Sequence, residues 1–234
     1  MPSTSTTIDT DCGLLLHCDG ADGSTTFTDS SFATTKTVTA VNNSQIDTAQ
    51  SKFGGASGLF DGTGDYLTVP ASSDWAFGTG DFTIDFWWRL NVKKQSFIVG
   101  TDALADGGSG FNIFYNSNQN RFENYLAGVE HQFAWNASTA TWYHVTFTRN
   151  GTNLRMFIDG TQIGSTLSSS HNISDSADTL RICASPTTTL EVNGWIDELR
   201  IVKGTAVWTA NFTPPAAAYT AVSGTKKLAA LGVG

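Results

Sequence analysis

The residues best suited to acid–base chemistry in this sequence are paired carboxylates on two apolar strands. Asp81 and Asp85 are four residues apart, and Asp197 and Glu198 are adjacent near the end of the chain. Residues two or four apart in a strand share a face, whereas neighbours point to opposite faces. Asp81 and Asp85 therefore share a face, but no third carboxylate accompanies them on that strand. Asp197 and Glu198 are expected to point to opposite faces.

Neither the histidines nor the cysteines form a catalytic or metal-binding pattern. The four histidines are scattered along the chain, and a Gly-x-Ser-x-Gly motif is absent. His144 lies within a strand, and we interpret it as a packed residue. Cys12, His17 and Cys18 are too close together and too few to bind zinc.

We interpret Asp197, on a face with Trp195, Leu199 and Ile201, as a buried acid bonded to a turn. We therefore predict no catalytic residues and no enzyme activity.

Another set of carboxylates lies in polar loops, where the side chains could bind calcium. Calcium prefers carboxylate and carbonyl oxygens. The candidate ligands are Asp19, Asp22, Asp61 and Asp65, with Asp29, Asp102 and Asp106 as further acids in loops of the same kind. Asp-Gly pairs are also ordinary turn residues, so solvated turn acids are the alternative. The sequence predicts no other cofactor.

Aromatic residues next to polar loop residues could bind sugars. The candidates are Trp75, Trp135, His131 and Asn136, which lie in or beside loops. An aromatic ring can cover the apolar face of a ligand while neighbouring polar groups fix its orientation. Most of the seven Trp must be buried in a domain of this size. Packing in the core or at its rim is therefore the alternative role for each ring.

A three-stranded meander over residues 142–164 organises the chain around these side chains. Asn150-Gly151 is a strong hairpin signal between two β-rich runs, and Asp159-Gly160 forms a second turn. Alternation places Leu154, Met156 and Ile158 on one face of the middle strand, which we expect to be the core face.

The rest of the chain shows further short strands with alternating apolar residues. The strongest of these strands is residues 81–90. Its apolar residues Phe82, Ile84, Phe86 and Trp88 alternate with Thr83, Asp85, Trp87 and Arg89. Strands of this length, separated by turns, are typical of a β-sandwich. The further predicted strands are 13–18, 38–41, one at the end of 53–60, 66–69, 97–100, 110–115, 121–126, 131–135, 180–184 and 194–202.

Composition and charge argue against several functions. The net charge is −8 without a large basic cluster, which disfavours nucleic acid and anionic membranes as partners. No apolar run approaches the roughly 20 residues of a membrane helix. The first residues lack the features of a signal peptide, which predicts synthesis and folding in a cytoplasm. Three cysteines give no paired framework, and we expect them to be free.

Several of these segments together resemble the concanavalin A-like lectin/glucanase superfamily, and in particular its laminin G-like jelly rolls. The resemblance rests on residues 58–62 with 66–69, on residues 81–87, on the hairpin 142–160 and on residues 194–201. It implies an all-β, two-sheet antiparallel jelly-roll sandwich over residues 13–213. It leaves function open, because such domains occur in adhesion proteins, sugar-binding modules and phage surface proteins. The hydrolase relatives carry a Glu-x-Asp-x-(x)-Glu strand, which this sequence lacks.

Residues 205–215 look similar to the phage-type versions, and the chain ends differ in composition from the domain. We therefore predict a non-enzymatic virion structural protein, a capsid decoration or tail/fibre subunit, displayed on a virion surface. A carbohydrate-binding adhesion module for cell-surface glycans is the alternative. The N-terminal arm (1–12) and C-terminal tail (214–234) are predicted to contact other virion subunits in a homo-oligomer. Ordering these segments costs about 1–2 kcal/mol per residue, and we expect neither to bury enough surface on its own domain to offset that cost. The expected contact residues are Tyr219, Val222, Leu228, Leu231 and Val233.

Overall fold

The computed structural model describes residues 7–8, 11–32, 35–102, 108–175, 177–186 and 190–221. These residues form seventeen strands, and none of them lies in a helix, which confirms the all-β prediction. The strands are β1 (Thr7–Ile8), β2 (Cys12–Leu16), β3 (Thr39–Val41), β4 (Gln45–Asp47), β5 (Ser57–Asp61), β6 (Tyr66–Val69), β7 (Phe82–Leu90), β8 (Ser96–Gly100), β9 (Phe111–Asn116), β10 (Arg121–Leu126), β11 (Val129–Ala134), β12 (Trp142–Asn150), β13 (Asn153–Ile158), β14 (Thr161–Ser168), β15 (Leu180–Ile182), β16 (Asn193–Lys203) and β17 (Thr220–Ala221).

Two large antiparallel sheets face each other across one main core. The seven-stranded sheet has the order β11-β10-β9-β8-β15-β6-β3. The eight-stranded sheet has the order β14-β13-β12-β7-β16-β5-β4, with β2 also paired to β16. The predicted meander is the β12-β13-β14 part of this second sheet. This arrangement confirms the two-sheet sandwich.

The core follows directly from the alternation along each strand. On β13, Leu154 and Met156 are fully buried between the sheets and Ile158 is 6% exposed. The β7 residues Phe82, Ile84, Phe86 and Trp88 also belong to this main core. Their neighbours Thr83, Asp85 and Trp87 point to the outer face of the eight-stranded sheet, yet they too are buried. A further layer must therefore cover part of this outer face.

That layer is the segment of residues 204–221, which we call the closing segment. Its Trp208 and Phe212 rings stack with centroids 4.2 Å apart, and Phe212 also lies 5.5 Å from Phe157 of β13. Gly160, in the turn after β13, accepts the amide N–H of Phe212 on its carbonyl oxygen at 2.9 Å. The closing segment ends in β17, which pairs in parallel with β1.

Tyr219 lies within the closing segment and corrects one part of the assembly prediction. Its side chain is 3% exposed and packs with Cys12 and Leu15 of the same chain. Tyr219 is therefore a structural residue of its own domain, because this segment finds enough apolar contact on β2 and the outer sheet face. Val222, Leu228, Leu231 and Val233 lie outside the described residues.

Candidate functional site

Burial separates the tryptophans that build the fold from those available to a ligand. Trp75, Trp87, Trp88 and Trp208 are at most 5% exposed. Trp135 is half-buried and packs against the main core. Trp142 and Trp195 are half-buried and belong to none of the hydrophobic clusters of the described residues. These two rings therefore have no evident role in core packing.

Trp142 and Trp195 lie in one row across three neighbouring strands. Arg89 of β7 pairs with Trp142 of β12 on one side and with Trp195 of β16 on the other. We call these three residues the aromatic platform. All three are half-buried on the outer face of the eight-stranded sheet, beyond the closing segment. Leu59 of β5 extends the row on the far side of Trp195.

Contacts within the sheet hold the platform side chains in place. The Arg89 guanidinium carbon lies 5.2 Å from the centroid of the Trp195 ring, which is within the range of a cation–π contact. Trp195 Nε1 donates a hydrogen bond to Asp47 Oδ2 at 2.6 Å, which fixes the orientation of the indole. A rigid ring is a better binding element than a mobile one, because less conformational entropy is lost when a ligand binds.

The next outward residue of β7, Trp87, is covered by the loop between β4 and β5. Lys52 Nζ lies 3.8 Å from the Trp87 ring centroid, and the Phe53 ring contacts it edge-on at 5.8 Å. Asp197 anchors this loop, because its Oδ2 accepts the amide N–H groups of Lys52 at 2.8 Å and Phe53 at 3.0 Å. The interpretation of Asp197 as a buried acid bonded to a turn is confirmed.

Asp197 is nevertheless costly to ionise. The residue is fully buried, and its Oδ1 has no hydrogen-bond partner among the described residues. Burial raises the pKa of Asp197 to about 7, although the two amide groups oppose the shift. The loop beside the platform is thus tied to a carboxyl group that titrates near neutral pH.

A β-bulge between Asp197 and Arg200 separates Asp197 from Leu199 and Ile201, which were expected to lie on the same face of the strand. Glu198 has φ of 53°, and the pairing with β7 skips a position here. Leu199 and Ile201 therefore enter the core, whereas Asp197 points to the outer face. Glu198 also reaches the outer layer, where its Oε2 accepts the Tyr219 amide at 2.8 Å. The expectation that the two acids take opposite faces is wrong.

Asp85 lies beneath the closing segment at the centre of a buried charge network. Arg200 Nε donates to Asp85 Oδ1 at 2.9 Å, His144 Nε2 lies 3.3 Å from Oδ2, and the Tyr219 hydroxyl also donates to Oδ2. Burial alone would raise the pKa of Asp85, but Arg200 and these hydrogen bonds hold it below its ordinary value. A fully buried, ionised and saturated carboxylate has no access to a substrate, so this network is structural.

The predicted sugar-binding residues separate into two groups. Trp135 and Asn136 come to the rim of the sandwich, where Lys93 Nζ donates to Asn120 Oδ1 at 2.6 Å and also to Asn136 Oδ1. Lys93 lies in the connection after β7, three residues beyond the end of that strand. Polar side chains from three connections therefore converge beside the half-buried Trp135 ring.

Trp75 and His131 do not belong to that rim. Trp75 is fully buried in the main core, so its proposed sugar contact is wrong. His131 is 6% exposed, and its ring lies 5.8 Å from His171. Burial lowers the pKa of His131. Four residues of strand separate it from Trp135, a distance of about 13 Å, so its inclusion in the sugar site is also wrong.

Three of the four acids proposed for calcium accept backbone hydrogen bonds, and the fourth, Asp19, is exposed. Asp65 is fully buried, and its oxygens accept the amides of Asn43 at 2.8 Å and Asp61 at 2.9 Å. Asp61 accepts the Thr63 amide, and Asp22 accepts the Thr48 amide. None of these four acids is part of a three-ligand group among the described residues. Asp22 and Asp61 are exposed and bonded to loop amides, as the alternative interpretation held, whereas Asp65 is a buried acid rather than a solvated one.

A different group of carboxylates is close enough together to contact one metal ion. Asp102, Asp175 and Asp178 each place one oxygen within 4.8 Å of the others. Calcium binds oxygen at 2.3–2.6 Å, so a single ion could contact all three. Asp175 is 7% exposed, and its Oδ2 has no hydrogen-bond partner among the described residues. An unpaired buried carboxylate oxygen fits a cation ligand, because leaving it uncompensated is costly.

Sequence reasoning missed the platform, and it named Asp102 as a possible calcium ligand without joining it to Asp175 and Asp178, for the same reason. Trp142 and Arg89 are 53 positions apart and meet only through strand register, and Asp102 is 73 positions from Asp175. The available signal for the platform was the outward phase of the alternation on β7, which includes Trp87 and Arg89. That signal becomes specific only when the neighbouring strands are known.

The fold agrees with comparisons to known proteins. A laminin G-type family model, described as the concanavalin A-like lectin/glucanases superfamily, matches residues 61–208. No curated protein sequence matches the chain. The chain is similar to the binding domain of Paraclostridial mosquitocidal protein 1, with a TM-score of 0.62 and 15% identity over 84% of this chain and 50% of that one.

Two further solved structures come from proteins that act on or bind sugars. Domain 4 of the Geobacillus stearothermophilus arabinanase AbnA, in complex with arabinotriose, gives a TM-score of 0.60 at 16% identity, over 83% of this chain and 93% of that one. Trypanosoma rangeli sialidase gives 0.57 at 14% identity, over 83% of this chain and 31% of that one. The chain thus spans about half the length of the toxin binding domain and less of the sialidase.

At these identities the solved structures establish a shared lectin-like β-sandwich and nothing about the ligand. The family model covers more than half of the chain and includes strands of both sheets. The chain therefore belongs to the concanavalin A-like lectin/glucanases superfamily.

Proposed function

We propose that this protein is a non-enzymatic carbohydrate-binding domain whose aromatic platform contacts an extended glycan. The observation that carries the proposal is the row formed by Trp142, Arg89 and Trp195, in which both indole rings are half-buried and outside the hydrophobic clusters. A tryptophan ring offers a large apolar area for contact, and two accessible rings in one row form the kind of exposed apolar patch that marks an interaction site.

The spacing of the row supports an extended ligand. Trp142 and Trp195 are two strands apart, which places their backbones about 10 Å from each other. A single sugar ring cannot span this distance, whereas every second unit of an extended oligosaccharide can. Lys93 follows β7, the strand of Arg89, and the Asn136 and Asn120 side chains bonded to it could contact further sugar hydroxyl groups.

The absence of catalysis is part of the same proposal. Asp85 is saturated by Arg200, His144 and Tyr219, and Asp197 is bonded to the loop that contains Lys52. Neither acid is exposed to a ligand on the platform. The arabinotriose complex of the AbnA domain is an example of sugar binding by a similar sandwich.

Calcium binding and virion display complete the proposal. We propose that Asp102, Asp175 and Asp178 hold calcium, which would stabilise the loops at one end of the seven-stranded sheet. Display on a virion surface as a homo-oligomer rests on the sequence resemblance of residues 205–215 alone. Proteomic detection of the chain in purified virions, and light scattering of the full chain, would test these two parts separately.

The binding proposal is tested by calorimetric titration of the full chain with soluble oligosaccharides chosen from a glycan array. Trp195→Ala should weaken binding by about 30-fold, a loss typical of a buried tryptophan contact of about 2 kcal/mol. Tyr66→Ala is the matched control, because Tyr66 is a half-buried ring beneath Arg181 on the other sheet. No binding to any glycan, or an equal loss in both variants, would contradict the proposal.

A further inference from the structure

We infer that the ligand of the aromatic platform is an acidic glycan, whose sugar carboxylates pair with Arg89 and Lys52. This inference rests on the proposed function and names the chemical class of its ligand. It is carried by the distribution of positive charge around the platform, which differs from that of the chain as a whole.

Four of the chain's 13 Lys and Arg residues lie on the platform, next to it or in the connection that follows its central strand. Arg89 is part of the row, and Lys52 covers Trp87, the preceding outward residue of the same strand. Lys93 and Lys94 follow β7 at the rim, where they bond to the oxygens of Asn120, Asn136 and Gly62. In a protein with a net charge of −8, this is a local concentration of cations.

None of these four cations has a carboxylate within 4.0 Å among the described residues. Elsewhere among the described residues, Lys36, Arg121 and Arg200 each form an ion pair within that distance, whereas the other Lys and Arg residues form none. One acid, Asp47, is bonded directly to the platform row. Its Oδ2 accepts from Trp195 Nε1 and its Oδ1 from the Ala49 amide. Arg89 and Lys52 are therefore available to an external anion, and a bound anion must be held by them against the remaining charge of Asp47.

The geometry favours a planar anion on a sugar ring. The Arg89 guanidinium lies against Trp195, so one ligand unit could stack on the indole while its carboxylate meets the guanidinium. Arginine binds carboxylates through two parallel hydrogen bonds, a geometry that a hydroxyl group does not match. Trp87 precedes Arg89 by two residues on β7, which is about 7 Å along the strand. Lys52 lies over the Trp87 ring and could therefore pair with the carboxylate of a second sugar unit.

The test compares polygalacturonate oligomers with their fully methyl-esterified forms, since esterification removes the charge and retains the sugar backbone. Calorimetric titration of the full chain should show at least about tenfold tighter binding to the acid form at low salt. Arg89→Gln should remove most of that difference, with Lys52→Gln as an independent second variant. Arg181→Gln is the matched control, because Arg181 stacks on Tyr66 of the other sheet in the same manner.

The outcomes separate this inference from the proposed function. Equal binding of the acid and the ester, with loss on Trp195→Ala, would overturn the inference and leave sugar binding intact. Failure of both forms and of heparin to bind would overturn the inference, and it would overturn the proposed function only if no neutral oligosaccharide of the glycan array binds either. Tight binding of heparin with weak binding of polygalacturonate would assign sulfate as the anion and overturn the carboxylate. A preference for the acid that Arg89→Gln and Arg181→Gln reduce equally would also overturn it.

Discussion

Replacement of Asp197 by asparagine should stabilise the protein at alkaline pH. Asparagine keeps a side-chain oxygen to accept the amides of Lys52 and Phe53, and it removes a charge that is fully buried. The folded-state pKa of Asp197 is raised to about 7, whereas an unfolded aspartate has a pKa of about 3.9. Between these two values the folded state holds a proton that the unfolded state has lost.

The sign and size of the effect follow from proton linkage. Because the folded state binds more protons, the free energy of unfolding falls as pH rises from about 4 to about 7. The full shift corresponds to at most about 4 kcal/mol, at about 1.4 kcal/mol per pKa unit. Asp197→Asn should therefore exceed the wild type by roughly 2–4 kcal/mol at pH 8 and differ little from it at pH 4 to 5.

Urea unfolding monitored by tryptophan fluorescence at pH 4.5 and pH 8 would measure this difference. Asp22→Asn is the control, because Asp22 is exposed and accepts only the Thr48 amide among the described residues. If Asp197→Asn lowers the free energy of unfolding equally at both pH values, Asp197 is a well-solvated or paired anion and the argument is refuted.

Three further predictions concern the closing segment and the calcium group. Tyr219→Phe should lower the free energy of unfolding by about 2 kcal/mol, since a hydrogen bond to buried Asp85 is lost; no change in chemical denaturation would contradict this. Gly160→Ala should cost more than the roughly 1–3 kcal/mol of its left-handed backbone, because its Cβ would collide with the Phe212 carbonyl. Gly151→Ala, with open space around it, should show the backbone cost alone, and equal losses would refute the contact. Calcium at 100 times its Kd should add about 2.7 kcal/mol in calorimetry, and Asp175→Asn should abolish this; retention of the effect would place calcium elsewhere.

Several strands could be predicted accurately because their signals are local. The spans 66–69 and 121–126 agree with β6 and β10, and the Asn150-Gly151 hairpin joins β12 to β13. Alternation on β13 and β7 also identified the core residues. β4 was missed, because Gln45–Asp47 is a three-residue edge strand with one buried side chain, too short to show a period.

The sequence by itself determined which residues could form strands and which faces would be apolar, since these depend on neighbours within a few positions. It also predicted the buried role of Asp197 correctly, while the bulge at Glu198 that sets its face depends on pairing with β7. The outer layer was decided by tertiary structure. Tyr219 folds back onto Asp85, 134 positions away, because the outer face of the sheet offers an apolar and hydrogen-bonding surface that no local pattern reveals. The aromatic platform arises in the same way, because strand register alone brings Trp142, Arg89 and Trp195 into one row.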